Sequence, residues 1–374
     1  MMLWRRLGIC VILSMMLVTG CGRHAPIKIG FAGTMVGGFS CASINGRNGV
    51  QLAVEEINHR GGIHGRPVEL VMKDDRFDPE IALEIDREFK QDGVVAVIGH
   101  MTSNISKWVL PEINRMKLLV ISPTASSSQL AGKDDYLIRL HPSSIKASEL
   151  LAESLGKVMR HRSVAVAYDL RNQEYTEDWL ETFEKTFTSY GGRIAAIFPF
   201  SSGLSFNYHQ SAKQLLNSRA DAVVIIAHSK DTAMFSQQIR KYDPMIPLYA
   251  SDSSFTGELV QYGGPAVDKL MVPTLFYDEH TSSGYARFKT AYRRRFGTEP
   301  TLAAVLGYES AQLIFQGLAK TKRYNSESLR KTILETKQFQ GLHGTYIIDG
   351  FGDAVRNYDL VMIRDNRLQK VSLP

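Results

Sequence analysis

Two clusters of small hydroxylated residues carry the chemistry of this chain: Thr102-Ser103, and Ser122-Pro123-Thr124-Ala125-Ser126-Ser127. Their hydroxyls are neutral donors, suited to an anion as small as a carboxylate. Each cluster follows an apolar run, 94–98 and 118–121, whose length and β-branched content suit a strand buried on both faces. After the first cluster the pattern Ile105, Val109, Leu110, Ile113 predicts a helix, which places Thr102 or Ser103 at its N-cap. Loops beyond the carboxyl ends of parallel strands lie side by side and form a ligand crevice. Helix N-termini there add free N–H groups and partial positive charge. The same serines also serve as plain cap or turn residues, so the residues alone leave both readings open. His100, beside the tight turn marked by Gly99, reads as structural, and Asp252, between Ser251 and Ser253, reads by itself as a turn or cap residue.

The elements that must position these loops follow from periodicity. Strands are predicted at 27–33, 68–73 and 137–140, with helices along Val50, Ala53, Val54 and Ile57, and from Asp78-Pro79 to Gly93. The rhythm restarts with strands at 163–168, 193–199, 222–226 and 247–249, and helices at about 177–190, 210–216 and 232–242. A strand at 270–275, two long helices at 284–296 and 302–321, and a hairpin at 359–364 and 368–371 close the chain. Alternating β and α predicts an α/β fold of two doubly wound parallel-sheet lobes joined by a hinge. Crossings are expected near 141–144, 273–275 and 344–348. That divides the chain into lobe 1 (26–143 plus 275–346) and lobe 2 (144–274 plus 347–374).

The 374 residues suit two lobes of ~150 residues each. Residues 1–20 differ from the rest: Arg5 and Arg6 precede a short apolar run that ends in Val18-Thr19-Gly20-Cys21. This reads as a secretory signal peptide, and its end resembles the bacterial lipobox, with Cys21 the lipidated residue and a membrane anchor that does not span. Loss of Arg5 and Arg6 lowers the formal charge from +6 to +4, too weak a balance to indicate nucleic acid. Of three cysteines, Cys10 leaves with the leader and Cys21 takes lipid, so Cys41 remains alone and no intrachain disulfide is expected.

At this point the chain resembles the type I periplasmic binding proteins of bacterial ABC importers, the branched-chain amino-acid (Leu/Ile/Val) receptor family. The likeness covers nearly the whole mature chain. It rests on Gly-Val-Gln-Leu-Ala-Val-Glu-Glu-Ile-Asn at 49–58, Gly61-Gly62-Ile63-His64-Gly65, Asp74-Asp75 with Asp78-Pro79, Val97-Ile98-Gly99-His100, and Ile121-Ser122-Pro123. The resemblance implies a carboxylate held by Ser103, Thr124 and Ser126, and an ammonium met by the fourth-strand loop and Asp252. It also implies an aromatic contact near Tyr175. His228 stands where leucine-type receptors have a tyrosine, Cys41 and Ala42 where they have an aromatic, and Phe77 and Thr102 where cysteines would pair. The implied partners are a small zwitterion, an ABC permease and the membrane through the lipid anchor, outside the cytoplasm, with no cofactor and no metal.

An enzyme reading finds no G-x-S-x-G, H-E-x-x-H, paired cysteines or G-x-G-x-x-G, and leaves only an arbitrary grouping of Ser126, His100 and some aspartate. A third class is a sensor of the same fold for amides, urea or aromatic acids that signals to a membrane partner.

Overall fold

Runs such as Ile27–Gly33 and Ala222–Ile226 have too few polar side chains to face water, so the chain buries them as central strands with helices on both faces. The computed structural model describes residues 25–37, 40–201, 203, 206–254, 257–277, 282–365 and 367–371; residues 1–20 and Cys21 lie outside them.

In the first lobe, β1 (Ile27–Gly33), β2 (Val68–Asp74), β3 (Val97–Ile98), β4 (Val120–Ser122) and β5 (Leu137–Arg139) form a parallel sheet of order β2-β1-β3-β4-β5. Helices α1 (Ser40–His59), α2 (Pro79–Gln91) and α3 (Ser103–Met116) connect them. Asp78 caps α2 through the N–H groups of Glu80 and Ile81, with Pro79 in the first turn, as its sequence signature predicts. Phe89, Val109 and Ile113 cover one face of the sheet; Val50 and Ala53 of α1, with later helices, cover the other.

After β5 the chain crosses to α4 (Ile145–Glu153) and builds β6 (Ser163–Asp169), α5 (Gln173–Ser189), β7 (Arg193–Phe200), α6 (Tyr208–Asn217), β8 (Ala222–Ile226), α7 (Ser229–Tyr242), β9 (Leu248–Ala250), α8 (Gly257–Gly263) and β10 (Met271–Thr274). It then returns to the first lobe with α9 (Ser283–Phe296), α10 (Leu302–Leu318) and α11 (Ser326–Thr336), followed by β11 (Gln338–Gly341), β12 (Gly344–Ile348) and β13 (Ala354–Val355). The hairpin β14 (Asp359–Arg364) and β15 (Arg367–Lys370) joins the second sheet, whose order is β15-β14-β10-β9-β8-β6-β7. Five of its strands are parallel and the hairpin is antiparallel, so this sheet is mixed at one edge.

Two expectations change. The third crossing is not at 344–348: β12 pairs with β11 and β13, and Ile348 and Ala354 pack into the first lobe's core. The chain crosses between Val355 and Asp359, which moves residues 347–355 from the second lobe to the first. Helix α11, absent from the expected elements, is capped by Asn325 and buries only Ser326, Leu329 and Ile333, too few apolar positions to set a period.

Glycine is required where α1 meets α10. A Cβ on Gly49 would lie 2.0 Å from the Ala304 carbonyl oxygen, so the helices cross in backbone contact. The same reasoning holds at Gly99 (φ 148°), whose Cβ would lie 2.3 Å from the Ala32 carbonyl oxygen as the chain leaves β3 for the hydroxyl-rich loop.

Candidate functional site

Both sheets reverse their winding at one point, between β1 and β3 in the first lobe and between β6 and β8 in the second. The loops from these points face each other across a cleft lined by residues of both lobes. All six residues singled out as ligand contacts line it: Ser103, Thr124 and Ser126 from the first lobe, Tyr175, His228 and Asp252 from the second.

In the first lobe, Thr102 is the N-cap of α3 and Ser103 its first residue. Ser103 Oγ accepts the backbone N–H groups of Ser126 and Ser127, both at 3.2 Å, so this hydroxyl ties the loops after β3 and β4 together. A serine oxygen has two acceptor sites, so the hydroxyl proton remains to be donated, and two incoming N–H bonds make it a stronger donor. Thr124 donates its hydroxyl to the Met101 carbonyl at 2.6 Å, which fixes the loop and leaves the threonine oxygen to accept. Ser126 is buried against the same corner.

His100 lies under this loop and is fully buried between Asp75 (Nδ1 to Oδ2, 2.9 Å) and Asp86 (Nε2 to Oδ2, 3.4 Å). Burial alone would depress its pKa, but the Asp86 charge and the Asp75 hydrogen bond, with further help from both, raise it to about 10. Burial opposes the ionisation of Asp75 too, yet His100, the Phe77 N–H and the Thr34 hydroxyl hold that carboxyl below its usual range. With both ring nitrogens facing carboxylates, His100 cannot serve as a base for Ser126, so the serine–histidine grouping does not form. Its carbonyl takes the Ser122 hydroxyl at 2.6 Å, which makes the buried triad a support for the binding loop.

In the second lobe, Asp252 opens the short 3-10 turn Asp252–Ser254 after β9 and is 2% exposed. Its Oδ1 accepts from the Tyr175 hydroxyl (2.8 Å) and Trp179 Nε1 (3.0 Å); its Oδ2 lies 3.6 Å from His141 Nε2. Burial pushes this carboxyl upward, with His141, Tyr175 and Trp179 acting against the rise. Tyr175 was expected on a loop. The structure places it in the first turn of α5, because the 3-10 turn Leu170–Asn172 runs straight into a helix that starts four residues earlier than its apolar pattern predicts. Its ring is buried and its hydroxyl orients Asp252. His228 occupies the N-cap position of α7 without a side-chain cap bond. Burial lowers its pKa against Asp169 and Asp231, with Arg171 adding to the fall, so it is neutral at pH 7.

The lobes also touch directly. Asn104 Nδ2 donates to the Arg171 carbonyl (2.8 Å), the Asn104 N–H donates to Asn172 Oδ1 (3.3 Å), and Asn104 Oδ1 accepts from the Glu174 N–H (3.0 Å). Lys107 pairs with Glu174 at 2.6 Å, and the Ser128 N–H donates to Asp178 at 2.7 Å. These contacts join the two lobes beside the cleft.

Sequence reasoning passed over His141, Asn172, Lys230 and Glu258, which also line the cleft, as do Leu302, Ala303 and the Cys41 and Ala42 that stand where the receptor family has an aromatic. A signal for His141 existed: it stands two residues beyond the carboxyl end of β5, where the crevice rule applies as it does to Ser103. Among the described residues no group of three or more histidines, cysteines or carboxylates could hold a metal, and no helix is long and apolar enough to cross a membrane.

A family model described as periplasmic binding protein matches residues 26–367. The chain is 21% identical over 342 residues to a leucine-, isoleucine-, valine-, threonine- and alanine-binding protein of Pseudomonas aeruginosa, covering 90% of this chain and 89% of that one. Among solved structures it is similar to a branched-chain amino acid transporter substrate binding protein of Streptococcus pneumoniae in complex with isoleucine (TM-score 0.84, 23% identity, 92% of this chain and 99% of that one). It is also similar to a solute binding protein of an ABC transporter from Rhodopseudomonas palustris in complex with 3,4-dihydroxybenzoic acid (TM-score 0.82, 20% identity, 93% and 96%).

Proposed function

We propose, from the premise that the chain belongs to the periplasmic binding protein family, that it is an extracytoplasmic receptor which closes its lobes on an amino acid and delivers it to an ABC permease. The observation that carries this reading is one cleft with a donor wall on one lobe, Ser103 and Ser126, and a carboxylate on the other, Asp252. A zwitterion satisfies both walls at once, and neither lobe alone encloses it. The ligand's differential affinity for the closed form then sets the equilibrium between open and closed chains. No step of this reading requires catalysis.

A thermal-shift screen across the twenty amino acids, amides and aromatic acids tests it, because a ligand at 100 times its dissociation constant adds ~2.7 kcal/mol of stability. A rise with at least one amino acid is expected; no rise with any member of the panel removes the reading. A second reading, a receptor or sensor for ammonium-free acids, is favoured by the Tyr175 and Trp179 hydrogen bonds to Asp252, which supply partners for that carboxylate from within the protein. Stabilisation by aromatic acids alone would select it. Pull-down of a permease or of a signalling partner separates import from sensing.

Anchoring at Cys21 is part of the same proposal. Its support is the charged, apolar and small-residue order of residues 1–21. Cys21→Ser is expected to move the protein from the membrane fraction to the soluble one, and a variant that stays with membranes removes the anchor assignment.

A further inference from the structure

We propose that His141 is the second acceptor for the ligand's ammonium group: its Nε2 and Asp252 Oδ2 form a two-point cradle that separates amino acids from carboxylates lacking the amine. This rests on the amino-acid reading of the cleft and adds to it a residue that selects the ligand class.

The argument begins with the ring proton. His141 Nδ1 lies 3.0 Å from the Pro142 carbonyl oxygen, which can only accept, so Nδ1 carries the hydrogen of the neutral ring. The Tyr358 hydroxyl, 3.3 Å from the same nitrogen, is the longer contact. Nε2 therefore presents a lone pair toward Asp252 Oδ2 at 3.6 Å. With the carboxylate ionised, two acceptors face each other at that distance, an arrangement that a donor reaching both oxygen and nitrogen relieves. An ammonium has three hydrogens and reaches both. Asp252 Oδ1 already accepts from Tyr175 and Trp179, so the carboxylate is oriented with Oδ2 toward the histidine.

The competing arrangement is an imidazolium that pairs with Asp252 and leaves no place for the amine. The groups around His141 decide between them. Asp252, from the turn after β9, favours the charged ring; Arg139 on β5 and Arg356 at the third crossing oppose it, and Tyr175 and Tyr358 are neutral, their ionisation suppressed by burial. The ring is itself buried, and burial outweighs Asp252 and the Pro142 hydrogen bond and lowers its pKa. His141 is thus neutral at pH 7, and acid protonates it and converts acceptor into competitor.

Calorimetry on the mature chain tests this with two probes, the amino acid that stabilises it most in the screen and the same molecule without its amine. In the wild-type protein the amine should improve affinity about 30-fold or more, the equivalent of ~2 kcal/mol. His141→Phe should weaken the amino acid at least about tenfold and leave the des-amino acid nearly unchanged. His141→Gln, whose amide oxygen accepts, should recover part of the loss. Amino-acid affinity should also fall toward acid pH, by up to about tenfold per pH unit for each titrating group, and His141→Gln should keep only the part due to Asp252. Equal losses on both probes, or superimposable pH profiles, overturn the proposal while leaving the receptor intact. Binding of no amino acid overturns both.

Discussion

Among the described residues two histidines are buried against aspartates, one under the binding loop and one in the cleft wall, and they do opposite work. His100 has a carboxylate on each ring nitrogen, at 2.9 and 3.4 Å, and its neighbours hold it charged with a pKa of about 10. His141 has one carboxylate at 3.6 Å and two arginines in its field, and burial keeps it neutral. Residue type is shared; the number and distance of the carboxylates differ. A buried ion that is fully partnered becomes part of the scaffold, whereas one whose partners are left too far apart holds room for a ligand's charge.

The largest expected effect separates the two on stability. His100→Leu leaves two buried carboxylates without their cation and should cost ~3–5 kcal/mol in urea unfolding, with His100→Gln as the variant to measure should the first not fold. The pH dependence has a definite sign. The folded pKa of His100, about 10, lies above its ordinary 6.5, so its contribution is complete below pH 6.5 and lost as pH rises toward 10. Wild-type unfolding free energy should fall across that window more steeply than that of the variant; equal slopes would break the assignment of charge to His100.

Asp252→Asn should do the reverse. The amide keeps an oxygen for Tyr175 and Trp179, so the fold is retained, but the charge opposite the ammonium is gone. Amino-acid affinity should fall by ~2–5 kcal/mol. Burial raises the Asp252 pKa, so its stabilisation is complete below the ordinary value of 3.8 and is lost as pH rises through the folded one. At pH 7 the unliganded variant should therefore be as stable as the wild type or more so. A variant that loses stability and keeps affinity would reverse the roles drawn here for the two clusters.

How much of this is legible in the sequence depends on whether the signal is local. Ser103, Thr124 and Ser126 stand where apolar runs stop, and strand ends in parallel sheets point at the crevice, so residues and spacing suffice to place them. Asp252 reads locally as a turn residue and became a candidate only through likeness to a receptor family, because its role depends on Tyr175, Trp179 and His141, each more than 70 positions away. Tyr175 was placed on a loop because the apolar stripe of α5 begins later than its first hydrogen-bonded turn. The third crossing was misplaced because Gly344–Ile348 alternates buried and exposed residues like any edge of a sheet, and nothing in that alternation tells which lobe supplies the partner strand. Asn104 was passed over because it looks like any polar residue in a first helical turn, yet it makes three bonds across the lobes.

Those interlobe bonds give the smallest predicted effect and the sharpest limit on the comparison, since they touch neither buried histidine. Lys107–Glu174 is an exposed pair, with the lysine side chain 48% accessible, and such pairs contribute ~0.2–1 kcal/mol. Lys107→Ala should weaken amino-acid binding by less than about fivefold, and only at low salt. Asn104→Ala removes two side-chain bonds across the cleft at ~0.5–1.5 kcal/mol each, so its cost should be larger and insensitive to salt. Both act on closure, so each should weaken an amino acid and its des-amino analogue alike and leave the stability of the unliganded chain within error. Selectivity for the amine would then belong to the His141–Asp252 corner and closure to the helix ends. An Asn104→Ala protein that discriminated differently between the two probes would show that the lobes' contact and the ammonium cradle are one coupled unit.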